Sequence, residues 1–431
     1  MTIPSAQTQK LSNTALRWNF WFMGWDIAFF TAALSVSSIS TILPLFVSHI
    51  TKENWLISLL ISVRALGSFL PMLLVASFAE RRQRLKNTLL YLTVLERIPF
   101  LLLAIAAITI TQINSAAMLI FFFIMIFMQA AGGGLTYTPW LDIVSRAIPE
   151  QMRGRFLGGW VGAGNILGIF GAALATYFIA NFFWPINFAL CFLASFILVS
   201  ISFVLLTFIK EPIRESVHLQ QYANTAKPKL YAWATDMYTV IAQDKPFRRY
   251  LMISVIYGAA QIGMGLIAIS ALKQAHLSAA EVGLDTPIVA ASLMFGYFLW
   301  GFIGDHLGHR ASLVWSSVFG AFSMLFALLA HSFILVTLAF ICYGLNSSGF
   351  QLSQMTYVLE FGAPARRPVY LGLASLIMAP FASLFPLFGG ILADTMGYTP
   401  VFFAGIVFNF LAAAGFQWYS KNPAQLSAQS K

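Results

Sequence analysis

The stretch Gly301-Phe-Ile-Gly-Asp-His-Leu-Gly-His-Arg310 closes one long apolar run and precedes the next. It is one of the few charged breaks in the second half of the chain. Its glycines permit a reversal tight enough to join two helices. Asp305 then falls beside helix ends, where a carboxylate accepts backbone N–H groups that lack a partner within the helix. A weaker copy, Ala76-Ser-Phe-Ala-Glu80-Arg81-Arg-Gln-Arg84-Leu-Lys86, separates two apolar runs of the first half. A second pair of loops also matches. Ala147-Ile-Pro149-Glu-Gln-Met-Arg153-Gly-Arg-Phe-Leu-Gly158 and Gly362-Ala-Pro364-Ala-Arg-Arg367-Pro-Val-Tyr-Leu-Gly372 share a proline, an arginine and an aromatic-Leu-Gly ending. Two matched loops at corresponding positions point to an internal repeat.

The repeat is set in a very apolar chain. Its 431 residues are 59% hydrophobic and 9% charged, with a mean hydropathy of +0.79. The apolar runs are long enough to cross a bilayer. They mark spans near 20–47, 55–78, 88–110, 116–141, 156–180 and 186–209, then 250–272, 286–303, 311–330, 333–357, 370–393 and 400–419. The expected organisation is a bundle over residues 1–209, a linker over 210–249 and a second bundle over 250–431. Within the linker, Leu230, Trp233, Met237, Tyr238 and Ile241 recur at helical spacing, which predicts an amphipathic helix on the membrane surface.

The net charge of +10 does not indicate nucleic acid, because the basic residues are scattered through short breaks between apolar runs. With the N-terminus placed in the cytoplasm, all Lys and Arg fall on inward segments except Lys52, Arg64, Arg97 and Lys273. That bias predicts both termini inside. Cys191 and Cys342 lie within apolar runs, so neither a disulfide framework nor a metal site is expected. Met1 to Arg17 has no cleavable signal pattern. Phosphate-binding, zinc-protease and nucleophile-elbow signatures are missing from the sequence. No enzymatic activity and no cofactor are expected.

The pattern Gly-x-x-x-Asp-x-x-Gly-x-Arg after the second span of a half resembles the signature loop of the major facilitator superfamily. The second copy has Gly301, Asp305, Gly308 and Arg310. The first departs from it at Ala76, Glu80 and Gln83 and keeps only the charge pattern. The resemblance covers nearly the whole chain. It implies an all-α membrane protein of twelve transmembrane helices, in two six-helix bundles around a central cavity that opens alternately to either side. It also implies that Glu80 and Asp305 meet the N-termini of spans 11 and 5 in one closed state. Arg81 and Arg310 would then pair with acids near spans 4 and 10, for which Asp142 and Glu360 are available. Arg84 and Arg153 complete these expected hinge loops.

The implied function is secondary transport of a small organic solute, coupled to protons or another ion and performed by a monomer in the lipid bilayer. Drug or amphipath efflux by proton antiport is the alternative within transport, and a transport-inactive receptor or scaffold is the alternative outside it. Drug exporters of the superfamily carry Gly-Pro-x-x-Gly-Gly in span 5. Here Ile169 replaces the proline and Ala172-Ala173 the last glycines.

Polar groups inside a span are costly and usually face a cavity or a partner. Four charges fall near the bilayer midplane: Asp26, Arg64, Glu96 and Arg97. Asp26 continues at helical spacing through Phe30, Ala33 and Ser37, a stripe suited to a cavity wall. Asp26 and Arg64 are the expected proton-coupling residues, with a structural ion pair between them as the bland alternative. Adjacent residues point about 100° apart on a helix, so Glu96 and Arg97 are not expected to share a cavity. Neutral candidates for solute contact are Gln129, Asn165, Gln261 and Asn346. By resemblance, spans 1, 4, 7 and 10 line the cavity, which favours Asp26, Gln129, Gln261 and Asn346.

Overall fold

The computed structural model describes residues 13–79, 84–110, 114–212, 239–358, 360–361 and 367–419, and among these no strand occurs. Of the predicted linker helix, residues 239–243, with Ile241, are helical, while Leu230, Trp233, Met237, Tyr238, Glu80 and Arg81 lie outside the described residues. The first half contains α1 (Asn13–Val36), α2 (Ile42–Ile50), α3 (Asn54–Ala79), α4 (Lys86–Thr109), α5 (Ser115–Ala147), α6 (Glu150–Asn181) and α7 (Ile186–Thr207). The second contains α8 (Lys245–Ala260), α9 (Ile267–Lys273), α10 (Ala279–Leu307), α11 (His309–Leu328), α12 (Phe333–Val358), α13 (Arg367–Met396) and α14 (Tyr398–Ala414). Among the described residues, ten helical segments are long and apolar enough to cross a membrane. Two further helices, α1 and α3, have 24 and 26 residues. The seventh span is broken: a 3-10 turn, Gln261–Leu266, separates α8 from α9.

Local chemistry sets where the helices begin and turn. The side chain of Asn114 accepts the Ala117 N–H at the start of α5, and Asp244 does the same for Phe247 in α8. Ser278 and Glu281 form a reciprocal capping box on α10. In the Gly301–Arg310 stretch only one glycine makes the turn. Gly308 joins α10 to α11 at φ +86°, a left-handed conformation that side chains with a Cβ disfavour. Gly301 lies inside α10, and the reversal does not use it.

Packing shows how the halves meet. Between halves, α3 lies against α13 and α6 against α10. One apolar cluster runs across both halves, joining Phe46, Phe122 and Phe188 to Ile267, Phe340 and Phe402. Two other clusters each stay within one half. Met23, Ile143 and Phe156 belong to the first, and Phe247, Tyr357 and Phe416 to the second. These separate clusters lie at the end where the described chain begins and stops, the terminal end, where the Trp18 indole donates to the Phe208 carbonyl and Arg249 stacks over Tyr419. Among the described residues, the halves therefore share a core at the far end, and no apolar cluster joins them at the terminal end.

Polar contacts secure the far end. Asp394 at the end of α13 accepts the Asn54 and Trp55 backbone N–H groups at 2.8 and 2.9 Å and the Asn54 amide at 2.7 Å. Lys273 and the Tyr398 hydroxyl donate to the Asn54 side chain. Thr286 donates to Thr41 at 2.8 Å, and Thr176 to the Gly283 carbonyl at 2.6 Å.

Candidate functional site

A cavity of about 310 Å³ lies among α1, α3, α4, α5 and α7 of the first half. All four midplane charges line it, together with Gln129, Thr136, Tyr137 and Trp140. Asp26 is buried and held by two donors. Ser202 of α7 reaches Oδ1 at 2.6 Å, and the Trp140 indole of α5 reaches Oδ2 at 3.1 Å. Behind it, the Arg97 guanidinium donates to Ser202 at 3.2 Å, to the Val199 carbonyl at 3.0 Å and to the Thr93 carbonyl at 2.9 Å. It also pairs with Glu96 at 3.1 Å, while Thr136 donates to the other Glu96 oxygen at 3.1 Å. A continuous polar chain thus runs Trp140–Asp26–Ser202–Arg97–Glu96–Thr136 and ties α1, α4, α5 and α7 together.

Glu96 and Arg97 share the cavity despite their angular separation. The reason is that the space lies among the helices of the first half and both side chains are long enough to reach it. Close packing makes this reachable. A Cβ on Gly132 would lie 2.7 Å from the Glu96 backbone nitrogen, so glycine lets α5 press against α4 at this level. Arg64 lines the same cavity but makes no ion pair with Asp26. Among the described residues, ion pairs join Arg97 to Glu96 and Arg146 to Asp142 and Glu211. The bland alternative of an Asp26–Arg64 pair is thus not what this structure contains. Asp26 satisfies itself with neutral donors on α5 and α7.

The neutral candidates separate. Gln129 lines the cavity. Asn165 is buried and donates to the Val161 carbonyl of its own helix. Asn346 is fully buried, accepts from the Tyr257 hydroxyl and donates to the Ser316 carbonyl, so it joins helices within the second half. Gln261 stands at the break in the seventh span, and its buried Nε2 has no partner among the described residues. Asp285 in α10 is a fully buried acid that the sequence reading left outside the spans. Thr337 donates to one oxygen at 2.7 Å, and the other oxygen has no partner among the described residues. Its signal was present: Ser278 and Glu281 form a capping box that starts the helix before residue 285.

At the terminal end, Arg146 bridges Asp142 at 2.7 Å and Glu211 at 3.0 Å. Glu211 also accepts the Leu85 and Lys86 N–H groups, capping α4 from beyond the end of α7. It therefore belongs structurally to the first half. Arg153 donates to the Ser145 and Ile148 carbonyls. The Asp305 side chain is exposed, with no hydrogen bond or ion pair to a described residue, and Arg84 is exposed as well. Burial pushes the Glu360 carboxyl above the usual carboxylate range.

Known proteins place this architecture. Solved structures similar to the chain include a mutant of the nucleoside transporter NupG, with a TM-score of 0.69, 16% identity and coverage of 94% of this chain and 100% of that one. A bacterial homologue of the human lysosomal transporter Spinster, inward-facing and unoccupied, gives 0.70 at 15% identity, covering 96% and 99%. The xylose transporter XylE from E. coli gives 0.66 in its inward-open form, at 14% identity and covering 95% and 98%. In its partially occluded inward-open form it gives 0.61, at 14% identity and covering 94% and 97%. Comparison with curated protein sequences finds no match. The family model of the Major Facilitator Superfamily matches residues 25–272 and 249–431. With its two helical halves, its multi-pass apolar helices and this match along its length, the chain belongs to the major facilitator superfamily.

Proposed function

We propose that the protein is a secondary transporter of a small organic solute. It works by alternating access, is driven by a proton gradient and has both termini in the cytoplasm of a cell-membrane protein with twelve spans. The observation that carries this reading is Asp26: a buried mid-helix carboxylate on a cavity wall, in a protein whose described halves share an apolar core at one end only. With the termini inside, this form is open to the cytoplasm. The greater likeness to the inward-open form of XylE than to its partially occluded form supports the same assignment.

Rocking of the halves would release Asp394 from the α3 N-terminus at the far end and bring Asp305 to the N-terminus of α6. Asp26 is the proposed coupling carboxylate. Movement of α3 would carry Arg64 towards or away from it and change which protonation state is favoured. The carrier reading needs no cofactor and no second copy of the chain.

The test is uptake by purified protein in sealed vesicles, with and without an imposed proton gradient, across a panel of solutes. Gradient-driven accumulation of at least one solute supports the reading. Accumulation with the gradient reversed would make the protein an antiporter and favour efflux. Exchange that ignores the gradient would remove the proton, and the absence of any flux would favour a receptor.

A further inference from the structure

Arg64 stands apart from the other charges of the cavity. The Glu96 and Arg97 charges cancel within their own pair, and the donors of Arg97 are spent on Val199, Thr93, Ser202 and Glu96. Asp26 is occupied by Ser202 and Trp140. The Arg64 guanidinium takes part in no ion pair or hydrogen bond with a described residue. A guanidinium offers five N–H donors in a planar fork that matches carboxylate and phosphate oxygens. Leaving all of them unused at this depth is costly, unless water or a ligand occupies them.

The surroundings of Arg64 are polar and reach towards the second half. Arg64 reaches the cavity from α3, and Ser68, one turn on, lines the same wall. Across the seam, Tyr343 of α12 lies within electrostatic range of Arg64. Ser40 and Ser347 lie beside the Tyr343 hydroxyl. Within the cavity, the Ser68 hydroxyl and one unneutralised cation make a site for negative charge.

We propose that Arg64 binds the anionic group, carboxylate or phosphate ester, of the carried solute, so that the substrate is a small organic anion. This deepens the transport reading above and rests on it. The size agrees: the cavity of about 310 Å³ lies at the small end of ligand pockets, which run from about 300 to 1,000 Å³. The charge count agrees as well. With a proton on Asp26, Arg64 leaves the cavity one positive charge in excess, and a monoanion cancels it. With Asp26 ionised, the cavity is neutral without the anion. Proton and anion would then load together, which is symport.

Two measurements on the full-length protein test this. In the first, phenylglyoxal modification of Arg64 is followed by mass spectrometry. Lactate, benzoate, succinate or glycerol 3-phosphate is present, and each is compared with its neutral counterpart, lactamide, benzamide, succinamide or glycerol. At least one anion should slow modification of Arg64 about tenfold while its counterpart does not. The carboxylate and phosphate arms tell the two sources apart. Equal protection by the neutral compounds, or none by any anion, overturns the proposal.

The second measurement is counterflow of the protecting anion in vesicles, using Arg64→Lys and Arg64→Gln. The lysine variant should keep part of the exchange and the glutamine variant should lose it, by tenfold or more in half-saturating concentration. Exchange of a neutral solute that ignores Arg64→Gln would overturn the anion assignment and leave the transporter standing. Anion protection with no exchange of any solute would uphold the site and remove the transport reading.

Discussion

Asp394, on the last turn of α13, caps the N-terminus of α3 in the other half, accepting the backbone N–H groups of Asn54 and Trp55. This contact sits at the opposite end of the molecule from the Gly301–Arg310 loop. It has the same physical basis as the contact that loop is expected to make: a carboxylate against the positive end of a helix from the other half. In the present form the far-end contact is made, and Asp305 at the terminal end is exposed. Each acid fits one closed end.

Asp394→Asn removes the charge and keeps the size. A helix N-terminus favours a negative charge by about 0.3–1 kcal/mol, and by about 2 kcal/mol when partly buried. The variant should populate the form open at the far end several-fold more. Distances between spin labels at Lys52 and Met396 check this. An unchanged distance distribution would mean that the apolar core of that end sets the balance alone.

Asp305→Asn is expected to act in the opposite sense, by weakening the form closed at the terminal end. Transport should fall, while solute affinity in a protein locked in one conformation stays within about twofold. A large loss of affinity in the locked protein would place Asp305 in the binding site, contrary to its exposed position on the rim.

Asp26→Asn should abolish accumulation against a gradient and leave exchange between equilibrated vesicles largely intact. The amide oxygen can still accept from Ser202 or from Trp140, though not from both, and the size is kept, so the fold should survive. If the carboxylate were structural, yield and both activities would fall together, because Arg97 would lose its nearest second negative charge. Restored accumulation in the double variant Asp26→Asn with Arg64→Gln would show that the two residues merely neutralise each other.

Reporter fusions at Asn114 and Asn224 should give opposite sidedness. Same-side signals would overturn the placement of both termini in the cytoplasm.

Gly132→Ala should destabilise the first half by about 1–3 kcal/mol, the usual cost of overpacking. The added methyl meets the α4 backbone at Leu95 and Glu96, which cannot rotate away. A lowered thermal midpoint in detergent is the expected readout. An unchanged midpoint would show that α4 and α5 slide apart freely.

The fold was legible because bilayer-length apolar runs and two repeated loops leave few alternatives. The site was legible in part. Asp26 and Arg64 announce themselves as charges deep in apolar runs, and the structure brings both to one cavity. Periodicity did not show that Glu96 and Arg97 share it, since angular spacing describes where a Cβ points and not where a long side chain ends. Nor did it separate Asn346, which bonds neighbouring helices, from Gln129, which lines the cavity, because both are neutral polar residues at similar depth. Asp285 was hidden by a boundary. By composition the apolar run starts at residue 286, but the capping box at Ser278 and Glu281 begins the helix earlier and draws the acid inside.

The Glu96–Arg97 pair has a consequence for descent. Each residue is buried and each neutralises the other across 3.1 Å, so changing one alone strands an opposite charge within the bundle. Breaking a buried pair in this way typically costs about 3–5 kcal/mol, whereas replacing both residues by apolar ones of like volume is often neutral. A lineage that keeps a working protein at every generation therefore has almost no single-step route away from this dipeptide. The codons for residues 96 and 97 are expected to be inherited as one unit and, if they are ever lost, to be lost together.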